Sequence, residues 1–439
     1  MSEATALKPQ ERYLADLAQQ DGNGHATWLR DIHAAGKTAL EATTFPHSKM
    51  EEWRHTNIGP ITNTHYGRPQ PLSDNTLTAS ALAGVGFADA GWIELVFVDG
   101  QFSSALSQVP ALPDGVVVGG LLANQDSEAL QQHTHKIAQN RNAYTALNTA
   151  FLQDGAFVYV PRKVVVETPI HLLFVSTTGL SGAAAHVRNV IALEESSAAT
   201  VTTSYVGLDA GTDYLNNVVE EIYVGANAQL TTYKTVKEGA AGNHLATSEV
   251  LQDRDSRLTA LVVSQEGKVT RNQSCVKFAA EGAECALHGL YLNDGARLID
   301  NVLNIHHAAP HCNSRIAYKG ILDGKSKTVF TGKVNVDQIA QQTDSDQLSN
   351  NLLLSDDATL DTKPQLEIYA DDVKCTHGAT VGSHPDEIIF YFRSRGIDEA
   401  TARGMLTFGF ADEVISEIEA DALRDRLEAY IFDKYSPKQ

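Results

Sequence analysis

The spacing of apolar positions changes twice along the chain, and the two changes divide it. From Pro9 to Leu40, Leu14, Leu17, Trp28, Leu29 and Ile32 recur at roughly helical intervals around the breaker Asp21-Gly22-Asn23-Gly24, which predicts two short N-terminal helices. Pro46 and the charge-rich turn Lys49-Met50-Glu51-Glu52-Trp53-Arg54 predict a further short helix. It runs into a Pro/Thr/Asn-rich connector that ends near Pro71.

From about Trp92 the runs become short, β-branched and aromatic, as in Ile93-Glu94-Leu95-Val96-Phe97-Val98, Phe157-Val158-Tyr159-Val160 and Val164-Val165-Val166, the composition of strands. Between Val187 and Leu366 such runs recur after a small residue. The third position of each falls at Val201, Leu230, Leu258, Cys285, Thr328 and Leu360, with gaps of 29, 28, 27, 43 and 32 residues. Near-periodicity of this size predicts a solenoid, and a repeat holding strands but almost no helical pattern predicts a β-helix. Alternation places Leu230, Thr232 and Lys234 on one face and Thr231 and Tyr233 on the other. The open ends of the stack need covering, and the N-terminal helices and the C-terminal segment are the expected caps.

Helical spacing returns after Pro385. Asp386 to Arg395 reads as a helix stopped by Gly396, Asp398 as the N-cap of a second, and Leu423, Leu427, Tyr430 and Ile431 as the apolar stripe of a third. The expected organisation is an N-terminal helical region with its connector over 1–70, a β-helix core over 71–384 and a C-terminal helical domain over 385–439.

Charge and composition narrow the partners. The 34 Lys and Arg against 54 Asp and Glu leave a net charge of −20, which repels phosphate backbones and anionic lipid, so no nucleic acid is expected. The longest apolar stretch, Val164 to Val175, is broken by Glu167, Pro169 and His171, so no membrane crossing is expected. The opening MSEATALKPQERYLADL has the character of neither a secretory nor an organelle leader, and the expected location is cytoplasmic. Cys275, Cys285, Cys312 and Cys375 are too scattered for a disulfide framework or a self-sufficient zinc site and are expected as reduced thiols.

Two clusters carry candidate chemistry. In Cys375-Thr376-His377-Gly378 an extended backbone puts the Cys375 thiol and the His377 imidazole on one face, both fit to bind iron or zinc, and imidazole can replace thiolate on an iron-sulfur centre. Two donors cannot hold a cluster alone, so another chain would have to complete the site. On spacing alone the competing account is a buried thiol and a hydrogen-bonded imidazole at a strand end. In His306-His307-Ala308-Ala309-Pro310-His311-Cys312 three imidazoles and a thiol crowd seven residues, but at no standard metal-ligand spacing, and a polar turn between coils is the alternative. His133 and His135 read as solvated. A phosphate-binding loop, a Gly-x-Ser-x-Gly elbow and a His-Glu-x-x-His helix are all missing, so the chain is not expected to hydrolyse ATP or to act as an enzyme.

The stretch from Asn350 to Ala358, the run Asp361-Thr362-Lys363-Pro364-Gln365-Leu366-Glu367-Ile368-Tyr369-Ala370-Asp371-Asp372-Val373-Lys374-Cys375-Thr376-His377-Gly378-Ala379-Thr380-Val381-Gly382, and Phe390-Tyr391-Phe392-Arg393-Ser394-Arg395-Gly396-Ile397 closely resemble the SufB/SufD family of iron-sulfur cluster assembly scaffolds. Within it, the length near 440, the motif Pro46-x-x-Lys49-x-Glu51-x-Trp53-Arg54-x-Thr56, and Leu147-Asn148-Thr149-Ala150-Phe151 followed by Asp154-Gly155-Ala156 are similar to the SufD-type branch. Ser383-His384-Pro385-Asp386 departs from the family pattern at the turn into the C-terminal helices.

The resemblance implies a mainly β chain with a right-handed parallel β-helix core between N-terminal and C-terminal helical regions. It implies a SufB-like partner bound through the β-helix and a SufC-like ATPase, the source of the missing phosphate loop, docked on the C-terminal helices. A transient iron-sulfur cluster would be shared with the SufB-like chain, with His377 as interfacial ligand and Cys375 beside it. Pairing of the chain with itself in isolation, a flavin in the assembled complex, and roles for His306, His307, His311 and Cys312 stay open. The rival expectation is a secreted, carbohydrate-active β-helix enzyme.

Overall fold

The computed structural model describes residues 8–19, 25–71, 77–138 and 140–437; the breaker at 21–24 lies outside them. Helices α1 (Pro9–Ala18) and α2 (Thr27–Ala42) come first, and α2, with 16 residues, is longer than expected. A 3-10 turn at Glu51–Trp53 and α3 (Gly59–Asn63) stand where a single short helix was predicted. Then follow β1 (Ile93–Val98), β2 (Gln101–Gln108), β3 (Val117–Gly120), α4 (Glu128–His133), α5 (Ala143–Ala150) and β4 (Ala156–Val160).

From there to Gly382 the regular structure is almost all strand: β5 (Val165–Ser176), β6 (Ala184–Leu193), β7 (Ala198–Gly207), β8 (Leu215–Val224), β9 (Gln229–Lys237), β10 (Asn243–Gln252), β11 (Arg257–Glu266), β12 (Val269–Phe278), β13 (Glu284–Asn293), β14 (Leu298–His307), β15 (Asn313–Leu322), β16 (Lys327–Val336), β17 (Asp344–Leu353), β18 (Thr359–Ile368) and β19 (Lys374–Gly382). Three helices close the chain: α6 (Asp386–Ser394), α7 (Glu399–Ile415) and α8 (Asp421–Tyr435). Gly396, at φ +84°, follows α6 in the left-handed conformation that ends a helix, and the Asp398 carboxylate accepts from the Thr401 N–H at 3.0 Å at the start of α7. Among the described residues no helix is long and apolar enough to cross a membrane.

The strands wind into a solenoid. Odd-numbered strands from β5 to β19 form one sheet, which β1 and β2 extend to ten strands, and even-numbered strands from β4 to β18, with β3, form a nine-stranded sheet. Successive strands within each sheet are parallel; only β2 on β1 and β3 on β4 run antiparallel, closing the N-terminal edges. The coil repeat is regular: Ala199, Leu230, Leu258, Cys285, Ser314, Ser345 and Cys375 lie in register, 27 to 31 residues apart. The predicted repeat departs from this column in two places. Val201 is opposite Thr232, two residues along, and Thr328 and Leu360 sit in the other sheet, so the 43-residue gap spans a coil and a half.

Alternation explains what holds the stack. In β6, Ala185, Val187, Ile191 and Leu193 point into the space between the sheets and join the main core, each large side chain contributing roughly 1.5–3 kcal/mol by its burial. Phe97, Phe174 and Tyr205 stack across adjacent coils at 4.4 and 4.9 Å. The interior also holds charge, for Lys234 Nζ lies 3.0 Å from Glu220 Oε2.

The flanking helices cover sides rather than ends. Tyr13, Leu40, Trp53 and Tyr144 pack on outward-facing Ala184, Leu215, Leu245 and Leu298 of the nine-stranded sheet. Val414, Ile415, Leu423, Leu427 and Ile431 pack on outward-facing Tyr233, Leu261, Leu290 and Ile321 of the ten-stranded sheet. Among the described residues the expected C-terminal cap is therefore absent: the helices fold back to bury those side chains, and β18 and β19 are left as uncovered edges. Burial records the difference, complete along β6 and nearly absent along β19.

Candidate functional site

The end of the solenoid is where Cys375 and His377 lie. Strand β19 extends the ten-stranded sheet half a coil beyond β18, the last strand of the other sheet. Its inward positions continue interior columns: Cys375 follows Ser345, Ser314 and Cys285, and His377 follows Gln347, Ile316 and Leu287. In earlier coils these positions are buried. On β19 no further strand among the described residues faces them, so Cys375 is only half-buried and His377 is exposed. The i, i+2 spacing thus sets both donors on one face, as the sequence predicts, and the missing coil opens that face to solvent.

Neighbours fix this strand and tune the thiol. Thr376 donates to Asp346 and Thr380 Oγ1 lies 2.8 Å from Asn350 Oδ1, joining the outer face of β19 to β17. Burial, with the Asp344 carboxylate nearby, pushes the Cys375 thiol above its ordinary value, so it is protonated at neutral pH and must lose its proton to bind a metal. Beside His377, the buried Gln347 amide keeps an oxygen without a hydrogen-bond partner. Among the described residues no three His, Cys, Asp or Glu side chains converge to hold a metal ion. Cys375 and His377 therefore form at most half of a site, since a cluster takes about four protein ligands.

The second predicted cluster is dispersed. His306 pairs with Asp337 at 2.9 Å outside the solenoid, while His307 is buried, 2.9 Å from Ser314 Oγ and packed on Phe278, its imidazole pushed down to about 4 by burial. His311 makes the turn at φ +61°, and the Cys312 thiol donates to the Ala280 and Pro310 carbonyls. This is the polar turn between coils. His133 and His135 are not solvated: His133 Nε2 meets Glu194 at 3.1 Å and its ring lies on Tyr223, and His135 contacts the buried Arg188. The cysteines are unpaired, and burial pushes the Cys275 thiol up to about 11.

Two apolar patches are exposed. Around the open end Ile339, Leu348, Ile368, Tyr369 and Val381 are exposed, and on the C-terminal helices so are Ile388, Phe390, Tyr391, Met405 and Phe432. The second had a signal, because Ile388-Ile389-Phe390-Tyr391-Phe392 is five successive apolar residues, more than one buried helical face can take.

Comparison with known proteins agrees with this architecture. Residues 174–410 match the family described as SUF system FeS cluster assembly, SufBD core domain, and residues 15–172 match the SufBD protein N-terminal region. An iron-sulfur cluster assembly SufBD family protein of Synechocystis is 31% identical, aligned over 88% of this chain and 87% of its own length. The iron-sulfur cluster assembly protein SufD of Escherichia coli is 31% identical over 89% of this chain and 90% of its own, and that of Bacillus subtilis 25% identical over 98% and 99%.

Proposed function

This chain belongs to the SufBD family of iron-sulfur cluster assembly proteins, and from that membership we propose that it is a SufD-type scaffold subunit, not itself an enzyme, in a complex with a SufB-like paralogue and a SufC-like ATPase. The observation that carries this reading is the open inner face of β19, where Cys375 and His377 stand as two donors of an incomplete site. A facing chain supplies the other donors, and the nascent cluster is cargo held between the two. His377 is the interfacial ligand and Cys375 the neighbouring thiol, which releases its proton as iron binds.

The surroundings favour that pairing. Edge strands β18 and β19 present unpaired backbone groups to a partner strand, and the exposed Tyr369 and Val381 beside them give the contact an apolar centre. On the C-terminal helices the exposed Phe390, Tyr391 and Met405 suit anchor residues for the ATPase. Because α7 and α8 pack on the outer face of the ten-stranded sheet, nucleotide-driven movement of the ATPase would act on the sheet that ends in β19. The two family matches favour assembly over the carbohydrate-active reading.

Co-expression with SufB-like and SufC-like chains tests this. Val381→Asp is expected to lose the SufB-like chain on purification while keeping the ATPase, and Phe390→Asp to do the reverse. Retention of both partners by both variants would overturn the assignment of the two surfaces.

A further inference from the structure

A row of buried polar side chains on the outer face of the ten-stranded sheet takes no part in the open end of the solenoid. Glu94 on β1 and His171 on β5 are register partners, and Glu94 Oε2 lies 2.8 Å from His171 Nδ1. His171 Nε2 in turn lies 2.9 Å from Ser204 Oγ on β7, and Thr235 on β9 donates its hydroxyl to that same oxygen at 3.0 Å. Glu94, His171 and Ser204 are 3%, 0% and 3% exposed.

These hydrogen bonds fix the state of the row. An ionised Glu94 can only accept, so His171 Nδ1 carries the proton and Nε2 accepts from the Ser204 hydroxyl. Burial pushes the His171 imidazole below its ordinary value. Burial also pushes the Glu94 carboxyl up, but His171 and the Phe87 and Ala88 N–H groups outweigh it and hold that carboxyl below its ordinary value. A neutral imidazole, oriented by a carboxylate, therefore faces a serine hydroxyl at hydrogen-bond distance, the arrangement that makes a serine nucleophilic.

Ser204 borders empty space. With Thr235 it forms part of the floor of a cavity of about 140 Å³ between the sheet and α8, walled by Phe87, Val206 and Leu427. Its oxygen gives its hydrogen to His171 and accepts from Thr235, which leaves one lone pair for the cavity. Gln265 lines the same cavity, set out of register by a bulge between Ser264 and Glu266 of β11, a device that re-aims side chains. It is 6% exposed, and its amide makes no hydrogen bond among the described residues. No carboxylate lines the cavity, and its two cations are engaged: Arg426 donates to the Val85 and Gly86 carbonyls at 2.8 and 2.6 Å, and Lys237 lies over the Tyr430 ring.

We propose that Ser204 is an acylation site, taking a short acyl group from a small thioester. Ser204 Oγ attacks the carbonyl carbon while His171 Nε2 takes its proton. The carbon–sulfur bond then breaks and the leaving thiolate takes that proton from His171, so the products are an ester on Ser204 and a free thiol. Glu94 holds the imidazole in place and balances the charge it carries between the two transfers. The unpaired Gln265 amide is the donor to the carbonyl oxygen. A single side-chain donor suits an activated carbonyl rather than an amide, and the cavity has room for a few carbon atoms with the leaving group outside. One acyl group per chain modifies a scaffold without turnover. The row lies six strands from β19 in the ten-stranded sheet, so it stands or falls independently of the cluster assignment.

The test treats the full-length protein with a fluorophosphonate, which bonds to an activated serine as fluoride leaves, and separately with S-phenyl thioacetate. Intact mass and peptide mapping locate the adducts. Each reagent is expected to leave a single group on Ser204 of the native chain and none there on the heat-unfolded chain. Ser204→Ala should take up neither, His171→Gln should slow both about 100-fold, and Gln265→Leu about tenfold or more. Gln265→Leu replaces an unpaired buried amide with an apolar side chain, so it should fold as the native chain does, which thermal melts check, and it decides the question if His171→Gln is unstable. A native chain unlabelled at Ser204, equally fast labelling of the unfolded chain, or native-rate labelling in folded Gln265→Leu would each overturn the proposal.

Discussion

Replacing Lys234 with methionine keeps most of the aliphatic stem and removes the charge that balances Glu220 inside the solenoid. The two side chains are 10% and 7% exposed and 3.0 Å apart, and Glu220 also accepts from the Ser248 hydroxyl. Burial pushes the Glu220 carboxyl up, but Lys234 and Ser248 outweigh it and hold the group below its ordinary value. Removing one partner of such a pair leaves a bare buried charge and costs about 3–5 kcal/mol, whereas replacing both with apolar side chains is close to neutral. With an unfolding entropy of roughly 2.1 cal/mol/K per residue, 439 residues give about 0.9 kcal/mol/K, so the single variant should melt about 3–5 °C lower if the chain unfolds as one unit.

A double-mutant cycle with Glu220→Leu, read by thermal unfolding and by hydrogen exchange in β8 to β10, measures the coupling. Acid gives a second readout. In the native protein the depressed Glu220 value means its contribution is present above the unfolded value of about 4.3 and is lost as pH falls. Without Lys234, burial alone raises that value, so the penalty is full at neutral pH and is relieved on acidification. The deficit of Lys234→Met should therefore shrink as pH is lowered toward about 4. A single variant that loses less than about 1 kcal/mol, or a double variant as unstable as the two singles combined, would refute the reasoning.

Three further outcomes are expected. Gly36→Ala improves helix propensity by about 1 kcal/mol, but the new Cβ would fall 2.3 Å from the Ala150 backbone nitrogen; α2 and α5 must separate, and thermal melts should show a net loss of about 1–3 kcal/mol. Thr56→Val removes one of the two donors to Oδ2 of buried Asp300 and leaves Arg271 as the remaining one, and denaturant titration should show a loss of about 1–3 kcal/mol, the worth of a hydrogen bond to a charged group. His307, buried and pushed down to about 4, contributes stability that is full above its unfolded value of about 6.5 and is lost as pH falls toward about 4; hydrogen exchange in β14 and β15 should quicken across that window, and less so in His307→Gln.

Much of this was legible in the sequence, and the gaps have physical causes. The coil repeat is plain through Leu230, Leu258 and Cys285 because apolar side chains fill that interior column. It fades where the same column continues as Ser314 and Ser345, while Thr328 and Leu360, equally strand-like, lie in the opposite sheet and shift the apparent repeat. The shared face of Cys375 and His377 follows from the period of two alone. Their exposure does not, because it depends on the C-terminal helices folding back onto Leu261, Leu290 and Ile321 instead of closing the end. The seating of residues 48–56 on the nine-stranded sheet needs contacts more than two hundred residues apart, such as Thr56 with Asp300 and Glu51 with Lys363, and no local pattern carries them.

The central claim is that the open inner face of β19 holds part of a cluster site completed by another chain. It is tested most directly by co-expressing the protein with SufB-like and SufC-like partners, purifying the complex without oxygen, and comparing iron and sulfide content for the native chain and His377→Ala. The account predicts an intact complex that has lost its cluster; an intact complex with native cluster content would contradict it.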